Sequence, residues 1–270
     1  MQTQQQKGET FRALHHRDSA FLIPNPFDIG TARLLAHLGF EALATTSAGY
    51  AFTLGLPDSA VGRKAMLAHV SAIASATDLP VNADLENGYG DSPDDAAETL
   101  RLAAAAGLVG GSIEDATGRD DNPIYEKQHA ADRIRAAAEA ARALPFPFTL
   151  TARAENYLHG RANLQDTIER LQAFQEAGAD VLYAPGLTTP EAIATVIRSV
   201  DRPVNVLATS QLDLATLSAL GAKRVSVGSA LSRAALGAFL RAAREMQTSG
   251  TFTFAQEAAP YKDLNAIFKS

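Results

Sequence analysis

The stretch PVNADLENGYGD, residues 80–91, sets polar, ligand-capable side chains at every second position. Read as a strand, it turns Asn82, Asp84 and Glu86 to one face and Val81, Ala83 and Leu85 to the other. Two carboxylates side by side repel each other, which costs folding energy unless a cation or a proton compensates. Hard oxygen donors of this kind suit Mg2+, or Mn2+ in its place. Taken alone, the stretch reads equally well as a strand end running into a solvated acidic turn. Similar residues recur further along the chain. Glu114 and Asp115 close GGSIED, with Ser112 on the face of Glu114 and Ile113 opposite. Thr149, Thr151, Arg153 and Glu155 share one face of TLTARAE, and Asn205 lies between Val204 and Val206. Thr45, Thr46, Ser47 and Ala48 precede a loop that contains Asp58.

Such a set has a coherent chemistry. A divalent ion held by acids chelates a 2-oxo acid through its carbonyl and carboxylate oxygens. Arg153 is suited to hold a carboxylate with its planar fork, and backbone N–H groups near Ser47 to hold other oxygens. A metal so placed stabilises the enolate that forms when a bond beside the carbonyl breaks. The same acids and arginine also have a purely structural reading, in which Arg153 neutralises Glu114. Other chemistries lack their residues. Cysteine is absent, which removes disulfides, thiolate metal sites and a thiol nucleophile. A Schiff-base lysine is missing from every strand end: Lys64 and Lys127 fall in helical segments and Lys223 at the start of a strand. His37, His69, His129 and His159 show no metal-ligand spacing. Gly228-Ser229 reads as a phosphate cradle at a helix start or as a tight turn.

The elements that must position these groups repeat one pattern. β-rich runs lie at 20–25, 41–46, 80–86, 109–114, 147–153, 180–184, 203–208 and 223–228. Alanine-rich segments with helical spacing fill most of the intervals. Ser92 before Pro93-Asp94-Asp95 and Thr189 before Pro190-Glu191 are helix starts. Gly39, Gly107, Gly178 and Gly221 are helix ends, each just before a strand. Eight alternating units predict an α/β fold with parallel pairing, a (β/α)8 barrel, whose site lies at the C-terminal ends of the strands. A doubly wound open sheet is the alternative, and it lacks the G-x-G-x-x-G of its dinucleotide-binding form. The expected division is a polar, partly disordered segment at 1–18, the barrel at 19–250 and a helical tail at 251–270.

Composition narrows the partners. The 270 residues are 46% hydrophobic and 20% charged, with net charge −6 and no basic run. That argues against nucleic acid or an anionic membrane as partner. No apolar run nears the roughly 20 residues of a membrane span, and MQTQQQKGETF has no apolar signal core. A cytoplasmic protein with a small-molecule carboxylate ligand is expected.

The motifs GFEALATTSAGYAFTLGLPD (39–58), ADLENGYGD (83–91), GSIED (111–115), TARAE (151–155) and RVSVGSALSRAAL (224–236), in this order and spacing, resemble the isocitrate lyase / phosphoenolpyruvate mutase superfamily. The resemblance covers roughly residues 18–245. It implies a barrel that exchanges its last helix between subunits of a homodimer or homotetramer, with the tail packing on a neighbouring subunit. It also implies Mg2+ and small 2-oxo or 2-hydroxy carboxylate ligands. Carried over by motif, Asp84 is similar to the direct metal ligand, and Asp58, Glu86 and Glu114 to carboxylates that hold metal-bound waters. Arg153 is similar to the substrate-carboxylate arginine, and Thr46-Ser47-Ala48 to the backbone donors for substrate oxygens. Asn205 is taken as substrate-binding, and Arg153, Asp58 and Glu114 as catalytic. Glu86 stands where many members have a second aspartate.

The chain departs from the superfamily in the loop DATGRDDNPIY, residues 115–125. The isocitrate and methylisocitrate lyases carry K-K-C-G-H or K-R-C-G-H there, with the cysteine as proton donor. The phosphonate enzymes carry a lysine and an asparagine, of which only Asn122 has a counterpart. The loop is read as a lid over the site or as a plain connection. The implied activity is an Mg2+-dependent C–C lyase acting through a metal-stabilised enolate, with decarboxylation of an oxaloacetate-like acid foremost. Cleavage of an isocitrate-like 2-hydroxy tricarboxylate comes second. A phosphonopyruvate-type mutase or hydrolase and a non-catalytic 2-oxo acid binder are the alternatives. Tyr50 and Tyr89 are both candidate proton donors.

Overall fold

The computed structural model describes residues 2–269. Eight parallel strands form one sheet: β1 (Phe21–Ile23), β2 (Leu43–Ala44), β3 (Val81–Asp84), β4 (Gly110–Glu114), β5 (Thr149–Arg153), β6 (Val181–Tyr183), β7 (Val204–Leu207) and β8 (Arg224–Ser226). Pairing runs from β2 through β3 to β8 and on to β1. The sheet nearly closes there, where Ala44 N–H donates to Pro24 O at 3.0 Å. The (β/α)8 barrel expected from eight repeated units is the fold. Among the described residues no helix is long and apolar enough to cross a membrane.

The helices are α1 (Gln4–Leu14), α2 (Ile29–His37), α3 (Ser47–Thr53), α4 (Arg63–Ala76), α5 (Pro93–Ala105), α6 (Lys127–Arg142), α7 (Leu164–Ala177), α8 (Pro190–Arg198), α9 (Leu214–Ala219), α10 (Ala230–Ser249) and α11 (Tyr261–Lys269). Their ends follow the capping signals in the chain. Ser92 caps α5 in a reciprocal box with Asp95, and Thr189 caps α8 through Ala192 N–H. Alanines on the inner faces of α5 and α6 let these two helices approach closely, and together with Leu100 and Ile134 they fill the layer between helices and sheet.

The polar N-terminal segment is ordered, which corrects the expectation of partial disorder. Helix α1 opens with a capping box between Thr3 and Gln6, and it buries Phe11 and Leu14 completely. These side chains join Phe21, Ile23 and Val109 in a cluster at the N-terminal end of the barrel. Gly8 is required there, because a Cβ would collide with the Pro147 carbonyl. Burying two large apolar side chains contributes about 3–6 kcal/mol, enough to hold a segment that is otherwise glutamine-rich.

Helix α10 is the opposite case. Of its 20 residues only Ser232 is buried, while Leu231, Leu236, Phe239, Leu240 and Met246 are exposed. Helix α11 packs on α2 of its own chain, with Arg33 Nη1 donating to Phe268 O at 3.3 Å.

Candidate active site

The acids gather at the C-terminal mouth of the barrel. Asp84 is the last residue of β3, and its N–H donates to Thr45 Oγ1 at the end of β2, 3.0 Å away. Thr46 caps α3, and this fixes Ser47 beside Asp84. Ser47 N–H donates to Asp84 Oδ2 at 3.1 Å. The Ser47 hydroxyl lies 2.9 Å from the same oxygen and 3.3 Å from Asp58 Oδ1. The Thr46-Ser47-Ala48 turn therefore holds Asp84 directly; Ala48 sits half-buried in the first turn of α3.

Arg153 ends β5 and is the hub of the cluster. Its Nη1 donates to Asp84 Oδ1 at 2.8 Å, its Nη2 lies 3.2 Å from Glu114 Oε2, and its Nε donates to Glu155 Oε1 at 2.8 Å. The register of β4 with β5 sets Glu114 beside Arg153. Three carboxylates, Asp84, Glu114 and Glu155, thus share one guanidinium, and Asp58 and Glu86 lie close enough to feel its charge. Burial opposes the charge on Arg153, but Glu155, Glu114 and Asp84 outweigh it and keep the group charged.

The acids carry the cost of that imbalance. Burial, then Asp84 and Asp58, push Glu86 up to about 8. Burial and then Asp84 raise Asp58, and burial raises Glu114 against the opposing pull of Arg153. Glu86 does not sit where strand alternation places it. Strand β3 stops at Asp84, and Glu86 adopts a left-handed backbone (φ 49°). Its Oε1 is buried without a protein partner.

A divalent cation fits this donor set. Mg2+ binds through one or two carboxylates and keeps several waters. Among the described residues no three acid or histidine groups converge tightly enough to ligate one ion together. Asp84, with Asp58, Glu86 and Glu114 nearby, is a set of oxygen donors of that hard kind, although both Asp84 oxygens are engaged by Arg153 and Ser47 in this structure. The unpaired Glu86 oxygen and the crowding of acids are what a proton or a cation relieves.

The family model of phosphoenolpyruvate phosphomutase matches residues 11–247. The chain belongs to this family. It is an enzyme of the isocitrate lyase / phosphoenolpyruvate mutase superfamily, as the five motifs imply. A Burkholderia cenocepacia J2315 protein provisionally named a lyase/mutase superposes with a TM-score of 0.97 at 64% identity, over 99% of this chain and 97% of that one. The 2-methylisocitrate lyase of Escherichia coli (strain K12) is 31% identical over 67% of this chain, which spans 62% of that enzyme. The oxaloacetate decarboxylase of Pseudomonas savastanoi pv. phaseolicola is 28% identical over 88% of this chain and 84% of its own length.

Two cavities flank the acids of this phosphomutase-family site. One of about 70 Å³ lies inside the barrel, lined by Asn25, Thr45, Asp84, Arg153, Tyr183 and Asn205 among others. The other, of about 540 Å³, lies beside the 115–125 loop and is lined by Ser59–Arg63, Glu86, Asn87, Tyr89, Glu114, Thr117 and Gly118. Asn205 reaches the inner cavity wall with both ends of its amide engaged: Nδ2 donates to Ser226 Oγ and Oδ1 accepts from Arg224 Nε, each at 2.9 Å. Asp115 stands outside the cluster. It pairs with Arg170 at 3.1 Å and accepts the Glu155 N–H at 2.7 Å, so it fixes the ends of β4 and β5.

The 115–125 loop is a small hairpin with a clamped base. Ala116 bridges Ile124, and Thr117 N–H donates to Pro123 O at 2.8 Å. Gly118 to Asn122 form the exposed tip, with Arg119 paired to Asp91.

Several residues that shape the site escaped the sequence reading. Arg133 on α6 is buried and donates to the carbonyls of Asn87, Gly90, Asp91 and Glu114. It carries the loop after β3 and the end of β4 together. Its only signal in the chain is a position on the alanine-rich face of α6, next to Ile134 and Ala137. Asn25 accepts from Val227 and Gly228 N–H and donates to Thr45 O, joining β8, β1 and β2. The Gly228-Ser229 turn is thereby tied to Asn25. Tyr183 lies under Arg153, with the guanidinium carbon 5.4 Å from the ring centroid.

Proposed function

We propose that this protein is an Mg2+-dependent lyase for small 2-oxo dicarboxylates and that its main reaction is decarboxylation of an oxaloacetate-like acid. The observation that carries this reading is the makeup of the mouth. Five acids and Arg153 meet there, and among the described residues neither flanking cavity is lined by lysine, histidine or cysteine. Decarboxylation requires an electron sink and a carboxylate turned away from it, and no general base to begin. A bound divalent cation supplies positive charge at the 2-oxo oxygen where electrons accumulate. Asp84 would hold it directly, with Asp58, Glu86 and Glu114 around it. Arg153 orients the carboxylate of the substrate beside the acids, and Tyr183 beneath the guanidinium limits its motion. The hairpin at 115–125 supplies Thr117 and Gly118 to the wall of the outer cavity. The names of the relatives support the class: one is an oxaloacetate decarboxylase and another a 2-methylisocitrate lyase. The exposed apolar face of α10 supports a homo-oligomer in which this helix packs on a neighbouring subunit.

The test is 2-oxo acid release, pyruvate from oxaloacetate and glyoxylate or pyruvate from isocitrate-like 2-hydroxy tricarboxylates, with and without Mg2+, against a control with Mg2+ alone. Release from oxaloacetate that needs both protein and Mg2+ supports the reading. Release no faster than the control refutes it, and preferential cleavage of a tricarboxylate moves the assignment to retro-aldol chemistry.

A further inference from the structure

Glu86 and Tyr89 both adopt left-handed backbone, at φ 49° and 59°, in the loop that follows β3. Residues with side chains avoid this region, and where they are forced into it the strain often marks a functional position. Here the forcing groups are visible. Arg133 holds the carbonyls of Asn87, Gly90 and Asp91, Thr99 Oγ1 donates to Gly88 O at 2.7 Å, and Asn87 Oδ1 accepts the Tyr89 N–H at 2.9 Å. The loop is thus tied down on its outer side. Its two strained residues also end in the two buried polar atoms of this loop that have no protein partner, Glu86 Oε1 and Tyr89 Oη. Both residues line the outer cavity of about 540 Å³. Burial, and then Glu86, Asp84, Glu114 and Asp58, raise the Tyr89 phenol above its ordinary value in the metal-free protein.

The chain has six tyrosines, and the other five are unsuited to deliver a proton at this mouth. Tyr50 stacks on His69 with ring centroids 3.7 Å apart and lines neither cavity. The Tyr125 hydroxyl donates to Asp91, and that of Tyr183 is engaged by Ser226. Tyr157 lines neither cavity, and Tyr261 is exposed on α11.

We infer that Tyr89 is the catalytic acid that protonates the carbon from which the carboxylate departs. The inference rests on the decarboxylase reading for the identity of that carbon. In the step, the electron pair left by CO2 forms a new C–H bond as the Tyr89 O–H bond breaks, giving a 2-oxo acid product. The phenolate then regains its proton from water.

The experiment runs the proton step alone. Wild type, Tyr89→Phe and Tyr50→Phe are incubated with pyruvate and Mg2+ in D2O, and loss of the methyl protons is followed by NMR. Oxaloacetate consumption and the thermal shift produced by oxalate with Mg2+ are measured in parallel. Wild type should exchange faster than the protein-free control, and Tyr50→Phe should stay within about twofold of it. Tyr89→Phe should lose about 100-fold or more, the usual worth of a general acid, while keeping the oxalate shift. Exchange by Tyr89→Phe within about threefold of wild type, or no exchange by wild type, overturns the inference. So does loss of the oxalate shift in Tyr89→Phe, which would make the hydroxyl a structural group. Tyr89-dependent exchange in a protein that leaves oxaloacetate untouched upholds the proton donor and refutes only the decarboxylase reading.

Discussion

Glu86 makes the metal-free protein sensitive to alkali in a way that can be isolated. Its ordinary value is 4.5, and in the folded protein it is pushed up to about 8 by burial, Asp84 and Asp58. Between those values the unfolded chain has released the proton and the folded chain still holds it. Folding therefore weakens as pH rises through this window, and the loss saturates above about 8. Asp115, raised to about 6 by burial, titrates in the lower part of the same range. From pH 6 to 8 the Glu86 effect amounts to roughly 3 kcal/mol, at about 1.4 kcal/mol per pH unit. For a chain of this size that is a fall of roughly 6 °C in Tm. The assay is thermal unfolding in chelator-treated buffer at steps between pH 6 and 8.5, for wild type and Glu86→Gln. The variant keeps the shape of the side chain and removes the ionisation, so its Tm should fall less over the same range. Mg2+ should flatten the wild-type curve, because a cation favours the charged form. Equal slopes for wild type and Glu86→Gln would show that Glu86 carries no raised pKa, and would remove the electrostatic argument for a cation beside it.

Three further outcomes are expected. Asp84→Ala should abolish Mg2+-dependent activity and the Mg2+-induced rise in Tm while the protein stays folded, since Arg153 keeps Glu114 and Glu155 as partners; unchanged Mg2+ dependence would show the metal assignment to be wrong. Arg153→Lys keeps the charge and loses the fork, so oxalate affinity in calorimetry should fall by roughly 1–3 kcal/mol, and an unchanged affinity would leave Arg153 a structural partner of the acids. Asp120→Ala and Asp121→Ala, on the exposed hairpin tip, should change turnover little, whereas deletion of residues 117–121 removes Thr117 and Gly118 from the cavity wall and should impair it strongly; full turnover after the deletion would demote the hairpin to a connection.

Much of the fold could be read from local signals because those signals are local in cause. A capping side chain such as Ser92 or Thr189 acts within one helical turn, and a glycine such as Gly178 sets one residue at positive φ. The barrel follows once eight such units are counted. The N-terminal helix was not legible, because its stability comes from only two large side chains, Phe11 and Leu14, meeting strands far away in the chain. Nothing in QTQQQKGE announces that meeting.

The site divides along the same line. Alternation along β4 and β5 brings Glu114 and Arg153 together, as their spacing predicts, because both residues still lie on strands. It fails for Glu86 and Asp115, each just beyond its strand. One residue past β4, Asp115 turns away to Arg170, and two past β3, Glu86 has entered left-handed backbone. Arg133 enforces that turn from a helix more than 40 residues on, through hydrogen bonds to main-chain carbonyls, which leave no mark on residue type. The period of a strand therefore tells which acids can reach the mouth. The residues that stop the strand decide whether an acid joins the cluster around Arg153, leaves it for a structural ion pair, or stays beside it with one oxygen unpaired.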